Sequence, residues 1–351
     1  MEDRMDAPAL EDRLIESAIG SLELIAVHLG RVLGLYELLQ HPRTSTELAE
    51  DGAIDDRYAR EWLEQQAVAG FVNVDDPALP WDRRRYSLDD TQKAVFVTPD
   101  HPLHVSPLAD MVIGASEVVG KVARSFRTGG GVPYADYGPI FRSGQAGINR
   151  PAFTTDLVES WIDAIPDVVA RLEQGGRIAD VGCGEGWSTI ALANRFPNAE
   201  VLGIDNDRSS IEAARAHALD MGSRARFQQV GAADVPGEFD LVVILEALHD
   251  MAHPVESLTA VRRSLSDGGA VLVADEKVAE EFGAIGDQLE RMMYGWSVAH
   301  CLPASMAEPD SAAIGTVLRP RHVEQLAREA GFGTVKRSDI DAGFFSLYVM
   351  R

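Results

Sequence analysis

The sequence predicts an α/β protein in which a doubly wound, mostly parallel sheet follows a mainly helical region. From Arg177 on, short apolar runs typical of buried strands alternate with segments of helical periodicity. The chain before that point contains several helical patterns and one pair of short strand-like runs. A length of 351 residues and a hydrophobic content of 46% are sufficient for two domains with buried cores.

A long helix is predicted near the N-terminus. Apolar residues recur at helical spacing over residues 12–40, and from Leu22 onward they occupy nearly every side of the helix. Such a helix requires burial all round, which a small domain can hardly supply alone. Two interpretations follow: the helix forms a dimer interface, or it is a central core helix.

The next segment has the order of a winged helix. Thr44 and Glu47 have capping-box spacing, Asp55 or the aspartate after it can begin a second helix, and two strand-like runs follow at 71–74 and 85–88. One interpretation is a ligand-responsive, DNA-binding regulator. The candidate recognition helix, however, carries four acidic residues beside two arginines, so its face has no net positive charge. We therefore favour a module for dimerisation or for covering the substrate.

Residues 101–169 are predicted to form a helical linker between a winged-helix domain over 1–100 and a C-terminal domain over 170–351. Within the linker, three consecutive glycines are followed by Tyr134 and Tyr137. Glycine-rich loops with aromatic side chains can close over a substrate, and they can equally be plain connectors. As a lid, this segment would bring both tyrosines to the substrate pocket.

Composition limits the partners and the location. The net charge of −23 would repel phosphate backbones, and the basic cluster at 83–85 is equally well explained as a solvated turn, so we do not expect nucleic acid as a partner. Two cysteines cannot form a disulfide framework. The N-terminal stretch is too acidic for a signal peptide, and the apolar runs are too short to span a membrane. We expect a cytoplasmic protein.

The strongest motif is DVGCGEGWST, which follows the first strand of the C-terminal domain. Gly182, Gly184 and Gly186 let the backbone approach a ligand because no Cβ intervenes. Asp205 ends the next strand, where a carboxylate can accept both hydroxyls of a ribose. The spacing differs from the G-x-G-x-x-G of dinucleotide sites, and acidic Asp180 would repel a pyrophosphate. The motif thus disfavours a nicotinamide oxidoreductase and favours a ligand with a ribose, an ammonium and a sulfonium.

At these motifs the chain resembles the class I S-adenosylmethionine-dependent methyltransferases. IADVGCGEG is similar to their first motif, EFDLVVILEALHD to their fourth-strand motif, and SLSDGGAVLVADE to the segment entering their fifth strand. The winged helix and the stretches GGGVPYADYG and YGWSVAHCLP are similar to an actinobacterial group related to small-molecule O-methyltransferases. The resemblance implies a Rossmann-like, seven-stranded domain, a homodimer and a small-molecule acceptor. It implies that S-adenosyl-L-methionine is bound by Asp180, Gly182, Gly184, Gly186, Asp205, Asn206, Ala232 and Glu246.

His249 follows the fourth strand of this domain, at the end that faces the transferred methyl group in this fold. An unperturbed imidazole titrates near neutral pH, as a general base should. Related O-methyltransferases carry a catalytic histidine in a similar motif, so the resemblance makes His249 the base and Asp275 the carboxylate that orients it. We expect methylation of a small organic molecule at oxygen or carbon.

A metal site is the alternative. A resemblance to C-methyltransferases that act on α-keto acids implies a divalent metal held by His249, Asp250 and His300. Two imidazoles and a carboxylate form a facial triad that leaves positions open for a bidentate substrate. A third interpretation gives neither role: Asp250 then caps a turn, and His300 is a satisfied pocket histidine.

Tyr294 and Trp296 lie in an insertion over 285–305, between the fifth and sixth strands. Insertions at this place commonly cover the substrate in this fold. We therefore expect both side chains, together with the two linker tyrosines, to line the substrate pocket. Ordinary helix packing is the alternative.

Overall fold

The computed structural model describes residues 6–351; residues 1–5, on which part of the argument against a signal peptide depends, lie outside the described residues. The strands are β1 (Asn73–Val74), β2 (Tyr86–Ser87), β3 (Gly176–Val181), β4 (Ala199–Asp205), β5 (Arg226–Gln229), β6 (Phe239–Leu245), β7 (Leu265–Glu276), β8 (Val335–Arg337) and β9 (Phe345–Met350). The helices are α1 (Ala7–Val32), α2 (Leu35–Leu38), α3 (Ser45–Gly52), α4 (Asp56–Val68), α5 (Asp90–Phe96), α6 (Leu108–Glu117), α7 (Val119–Thr128), α8 (Gly138–Pro151), α9 (Leu157–Glu159), α10 (Pro166–Leu172), α11 (Trp187–Arg195), α12 (Arg208–Asp220), α13 (Pro254–Arg263), α14 (Gln288–Trp296), α15 (Leu302–Ser305) and α16 (Pro320–Glu329).

The described chain packs as two compact units. One comprises the residues through Ile113 together with Ser143–Pro151, and the other comprises Gly114–Arg142 together with Ala152–Arg351. The three-part division expected from the sequence stays a prediction. Within residues 6–351, no helix combines the length and the apolar composition that crossing a membrane requires.

The first unit contains the predicted winged helix. Both bonds of the capping box are present at the start of α3: the Glu47 amide donates to Thr44 Oγ1 over 3.2 Å, and the Thr44 amide donates to Glu47 Oε2 over 2.8 Å. Asp55 caps α4 by accepting from the Arg57 amide over 2.9 Å. β1 and β2 then pair antiparallel. The predicted order of helix, turn, helix and hairpin is confirmed.

Helix α1 exposes most of its apolar side chains in the described chain. The exposed fraction is 66% for Leu22, 45% for Leu29 and 59% for Val32, whereas Val27 is buried. These exposures do not fit a central core helix of this chain. They favour the alternative that the helix meets another surface.

The second unit contains the predicted sheet, in the order β5-β4-β3-β6-β7-β9-β8. The pairs among β3 to β7 are parallel, and β9 runs antiparallel to both β7 and β8. β8 and β9 form a final hairpin around the DAG sequence at 341–343, which makes the sheet mixed. The predicted Rossmann-like, seven-stranded α/β domain is confirmed.

Both faces of this sheet are covered, which explains its continuous apolar strands. Along β6, Leu241 and Val243 belong to the core on one face, and Val242 and Ile244 belong to the core on the other. All four side chains are fully buried. Because β3, β4, β6 and β7 are parallel, their carboxyl ends meet at one edge, and the loops that follow them form the candidate site there.

Candidate functional site

The loop between β3 and α11 bends at three glycines. The φ angles of Gly182, Gly184 and Gly186 are +78°, +51° and +85°, which residues with a Cβ rarely adopt. A Cβ on Gly182 would lie 2.6 Å from that of Ala247, and one on Gly186 would lie 2.7 Å from the Phe227 ring. The packing of the chain itself therefore requires these two glycines. A Cβ on Gly184 would meet no atom of the described chain within 4 Å, so this glycine leaves an open approach for a ligand.

Asp205 lies beside this loop at the end of β4. Its Oδ2 accepts from the Gly184 amide over 2.9 Å, and its Oδ1 accepts from the Asp207 amide over 2.8 Å. Burial raises the pKa of Asp205, and these backbone bonds oppose the rise. Since each carboxylate oxygen retains a second lone pair, the oriented group can still accept two ribose hydroxyls.

Asp180, in β3, is fully buried under the glycine loop. The hydroxyls of Ser188 and Thr189 each donate to its Oδ2 over 2.6 Å. Its Oδ1 is buried and has no hydrogen-bond partner within residues 6–351. Burial raises the pKa of Asp180 to about 6, although the two hydroxyls favour the ionised form. Its role in binding the cofactor stays a prediction.

Two further predicted cofactor contacts, Asn206 and Ala232, follow the ends of β4 and β5. Asn206 is exposed, and its carbonyl oxygen accepts from Gln229 Nε2 over 3.1 Å. Ala232 is half-buried and begins a 3-10 turn, Ala232–Asp234. Asp234, at the end of this turn, is exposed. The roles of Asn206 and Ala232 stay predictions.

His249 and Asp275 form a buried dyad. His249 lies in a 3-10 turn, Leu248–Asp250, after β6, and its Nδ1 is 2.9 Å from Oδ1 of Asp275 on neighbouring β7. The His249 amide also donates to Asp275 Oδ2 over 3.2 Å. Burial by itself lowers the pKa of His249, but the carboxylates of Asp275 and Asp250 outweigh it and raise the pKa well above its ordinary value. With Nδ1 donating to Asp275, Nε2 of a neutral His249 carries the lone pair that a base requires.

A possible metal-ligand group adjoins the dyad. His249, Asp250 and Cys301 each offer a ligand atom, and these atoms lie within 4.8 Å of one another. His249 Nε2 is 3.4 Å from Asp250 Oδ1. The sequence predicted His300 as the third ligand, but in the structure Cys301 takes that place. His300 lies next to this group, with Nδ1 3.4 Å from Cys301 Sγ.

His300 is enclosed by aromatic rings. Its ring centroid is 4.2 Å from that of Phe141, 4.6 Å from Tyr137 and 5.6 Å from Tyr134. Burial lowers the pKa of His300 to about 4, so the imidazole is neutral. Its Nε2 is buried without a hydrogen-bond partner within the described residues. The two predicted linker tyrosines thus meet the predicted histidine of the insertion.

The glycine run before these tyrosines is tightly packed. A Cβ on Gly131 would lie 2.1 Å from the Ala307 amide nitrogen, and the Val132 amide donates to the Pro303 carbonyl over 2.8 Å. The loop is therefore fixed against the insertion in this conformation. Its role as a lid stays a prediction.

The other two predicted pocket residues differ in their surroundings. The Trp296 ring is 6.4 Å from Phe141 and so joins the aromatic group around the histidine. Tyr294 is exposed; its hydroxyl accepts from Arg319 over 3.3 Å, and its ring lies 6.4 Å from Phe282. Trp296 is thus brought to the candidate pocket, while the observed contacts of Tyr294 lie elsewhere.

Sequence reasoning missed Glu276, which follows Asp275 at the end of β7. Its side chain is hydrogen-bonded to Glu246, the residue after β6. Burial raises the pKa of Glu276 to about 7 and raises that of Glu246 well above its ordinary value. A second carboxylate beside the predicted one was the available signal, but the family resemblance assigned only Asp275 to the site.

Two families match the chain. Residues 21–98 match the family described as Rv2258c-like winged HTH domain, and residues 172–331 match the family described as Methyltransferase domain. Ubiquinone biosynthesis O-methyltransferases are among the relatives. That of Pseudomonas aeruginosa is 32% identical over 119 residues, which are 33% of this chain and 48% of the relative. That of Dechloromonas aromatica is 33% identical over 118 residues, 32% of this chain and 48% of the relative. The chain spans about half the length of the curated relatives it matches.

Solved structures share the fold over the whole chain. Human N-acetylserotonin methyltransferase in complex with S-adenosylmethionine superposes with a TM-score of 0.69 and 18% identity, covering 100% of this chain and 99% of that one. An O-methyltransferase family protein from Burkholderia thailandensis superposes with a TM-score of 0.68 and 17% identity, covering 99% and 98%. The chain therefore carries a methyltransferase domain, which has the seven-stranded sheet typical of class I methyltransferases, and an Rv2258c-like winged-helix domain ahead of it.

Proposed function

We propose that this protein transfers the methyl group of S-adenosylmethionine to a hydroxyl oxygen of a small organic molecule, with His249 as the general base. The observation that carries the proposal is the buried hydrogen bond of 2.9 Å between His249 Nδ1 and Asp275, at the strand edge that also holds the glycine loop. The names of the relatives, which include O-methyltransferases, support oxygen as the accepting atom.

The cofactor supplies an electrophilic methyl carbon on a sulfonium, and its sulfur leaves as a neutral thioether. Asp205 and the glycine loop position its ribose, and Asp180 and Glu246 provide negative charge near its cationic end. Asp275 holds the imidazole of His249 so that Nε2 receives the acceptor's proton as the oxygen forms its bond to carbon. The cofactor's positive charge favours the neutral imidazole, which offsets the effect of the neighbouring carboxylates.

The test is S-adenosylhomocysteine formation with a panel of phenols and alcohols, with methylated products identified by mass spectrometry. His249→Gln should lower turnover by about 10²–10⁴-fold and change cofactor affinity little. His253→Gln is the matched control, because His253 is an exposed histidine of the same loop. Equal turnover of the two variants would eliminate His249 as the base.

A metal-assisted methyl transfer, to the carbon of an α-keto acid-like substrate, is a second candidate. The donor set of His249, Asp250 and Cys301 fits a divalent ion, and the Asp275 bond to the other nitrogen of His249 is typical of metal-bound histidines. Such an ion would lower the proton affinity of a bidentate substrate. Elemental analysis of protein purified without chelator tests this. Absence of metal together with full activity in chelator would end it.

We further propose that α1 forms a homodimer interface. Its exposed apolar residues support this, and the arginines of α4 support dimerisation over DNA binding because Arg57 pairs with Glu61 and Arg60 pairs with Glu64. Leu22→Glu should shift the mass in multi-angle light scattering from dimer to monomer. Leu219→Glu, at a residue 81% exposed on α12, is the control. A monomeric wild type would refute the interface.

A further inference from the structure

A half-buried and a buried carboxyl group, Glu246 and Glu276, lie near His249. Glu246 follows β6, Glu276 ends β7, and their side chains are hydrogen-bonded to each other. Glu276 is only 7% exposed, and its Oε2 is buried with no hydrogen-bond partner within residues 6–351. Buried carboxylate oxygens are normally paired, because desolvation without a donor is costly. This oxygen therefore points to a donor that a ligand brings.

The position of Glu276 in the sheet separates it from the cofactor loop. The glycine loop follows β3, and Asp205 ends β4, while β6 lies between β3 and β7. Glu276 is thus on the far side of β6 from these contacts, next to the Asp275 that holds the proposed base. The pair therefore extends from the cofactor side, through Glu246, to the acceptor side, through Glu276.

Carboxyl groups predominate around the pair. The groups that act electrostatically on Glu276 are the carboxylates of Glu246, Asp275 and Asp250 and the imidazole of His249. His249 is already hydrogen-bonded to Asp275 over 2.9 Å. A buried carboxyl oxygen whose neighbours are mostly carboxyl groups favours a cationic partner from outside the chain.

Aromatic rings adjoin the group formed by His249 and Asp250. Tyr134 and Tyr137 pack against His300, whose Nδ1 is 3.4 Å from Sγ of Cys301, and Cys301 lies beside His249 and Asp250. Aromatic faces attract ammonium groups, and they also pack against the organic body of a substrate. The pocket thus combines aromatic surface with negative charge, which is the environment that an aromatic amine-bearing molecule prefers.

We propose that the methyl acceptor carries a protonated amine, which Glu276 and Glu246 bind, apart from the hydroxyl that is methylated. This rests on the proposed function and names the substrate class of that site. The amine donates to Glu276 Oε2, and the aromatic rings cover the rest of the molecule. The competing assignment, in which the pair serves only the ammonium of the cofactor, is an outcome of the test.

The experiment uses the full chain saturated with S-adenosylhomocysteine and isothermal titration with two probes, tyramine and 4-ethylphenol. These probes share the phenol and differ in the ammonium group. Wild type should bind tyramine at least about tenfold more tightly, on the scale of one charge-assisted hydrogen bond. Glu276→Gln should abolish most of this preference. Glu280→Gln, which removes an exposed carboxylate paired with Arg337, should retain it.

Any outcome other than these expected results counts against the proposal. Equal affinity for the two probes, no binding of tyramine at millimolar concentration, or a preference that survives Glu276→Gln overturns it. Weaker S-adenosylhomocysteine binding by Glu276→Gln with an unchanged tyramine preference assigns the pair to the cofactor. Glu246→Gln repeats the test if Glu276→Gln does not fold by circular dichroism. If wild type does not bind S-adenosylhomocysteine, the proposed function itself fails; if it binds but does not discriminate, only the amine assignment fails.

Discussion

Asp180→Asn should stabilise the cofactor-free protein while weakening cofactor binding. Burial raises the pKa of Asp180 from an ordinary 3.8 to about 6, so the folded state binds its proton more tightly than the unfolded state does. The stability that the protonated Asp180 contributes is therefore present at low pH and is lost as the pH rises from 3.8 through about 6. Each factor of ten in proton affinity is worth about 1.4 kcal/mol. The ionised carboxylate therefore lowers the free energy of unfolding by about 3 kcal/mol at pH 8.

The substitution suits the site. An asparagine oxygen can accept from the hydroxyls of Ser188 and Thr189, which lie 2.6 Å from Oδ2, and the amide takes the position of the oxygen that has no partner within the described chain. Urea unfolding of wild type and variant at about pH 5.5 and about pH 8 should show the stability advantage of the variant growing by about 0.9 kcal/mol. The pH difference isolates the titration of Asp180 from every effect of the substitution that does not change with pH.

Asp234→Asn provides the control, because Asp234 is exposed near the same strand edge. Its stability relative to wild type should not change between the two pH values. An advantage of Asp180→Asn that stays constant or shrinks as pH rises would refute the reasoning, since it would mean that the native carboxylate ionises without penalty. Calorimetry should also show weaker S-adenosylhomocysteine binding to Asp180→Asn than to Asp234→Asn.

Three further predictions concern the same strand edge. Asp205→Ala should weaken S-adenosylhomocysteine binding by about 1.5–3 kcal/mol, on the scale of hydrogen bonds to charged groups; unchanged calorimetric affinity would remove its ribose role. Gly186→Ala should lower the free energy of unfolding by about 1–3 kcal/mol because its Cβ meets Phe227, whereas Gly184→Ala should mainly weaken cofactor binding; equal losses of stability would contradict this division. Because carboxylates hold the pKa of His249 above its ordinary value, kcat/KM should rise with pH above neutrality as the imidazole loses its proton; a profile that falls over this range would exclude a neutral His249 as base.

The sequence predicts the parts of the site that short segments determine. The assignment of Asp275 to His249 came from the family resemblance. The bends at Gly182 and Gly186 and the end of β4 at Asp205 follow from local patterns and the order of strands. All seven strands of the main sheet and the antiparallel final hairpin were predictable for the same reason. The alternation of strand and helix patterns and the spacing of motifs are sufficient to predict such features, because these features depend on residues that are neighbours in the chain.

The side of the site built from the insertion was less predictable. Residues Ser297–Cys301 form a π-helical turn, which adds a residue relative to an α-helical turn and so changes which side chain faces a neighbour. This explains why Cys301, rather than His300, joins His249 and Asp250. The packing of His300 among aromatic rings depends in turn on residues far away in the chain, which periodicity does not report.

One physical argument accounts for the carboxyl groups at this edge of the sheet. Asp180 and Glu276 are buried and Glu246 is half-buried, and desolvation raises the pKa of each, so ionising them in the free protein costs stability. A fold selected for stability alone would place apolar or amide side chains at these positions, as Asp180→Asn is expected to show. Carboxylates at this edge are instead complementary to a ligand that carries positive charge. The same argument applies at both ends of the site, to the cofactor beside Asp180 and to the proposed amine beside Glu276, because a bound cation lowers these pKa values and offsets the cost of burial.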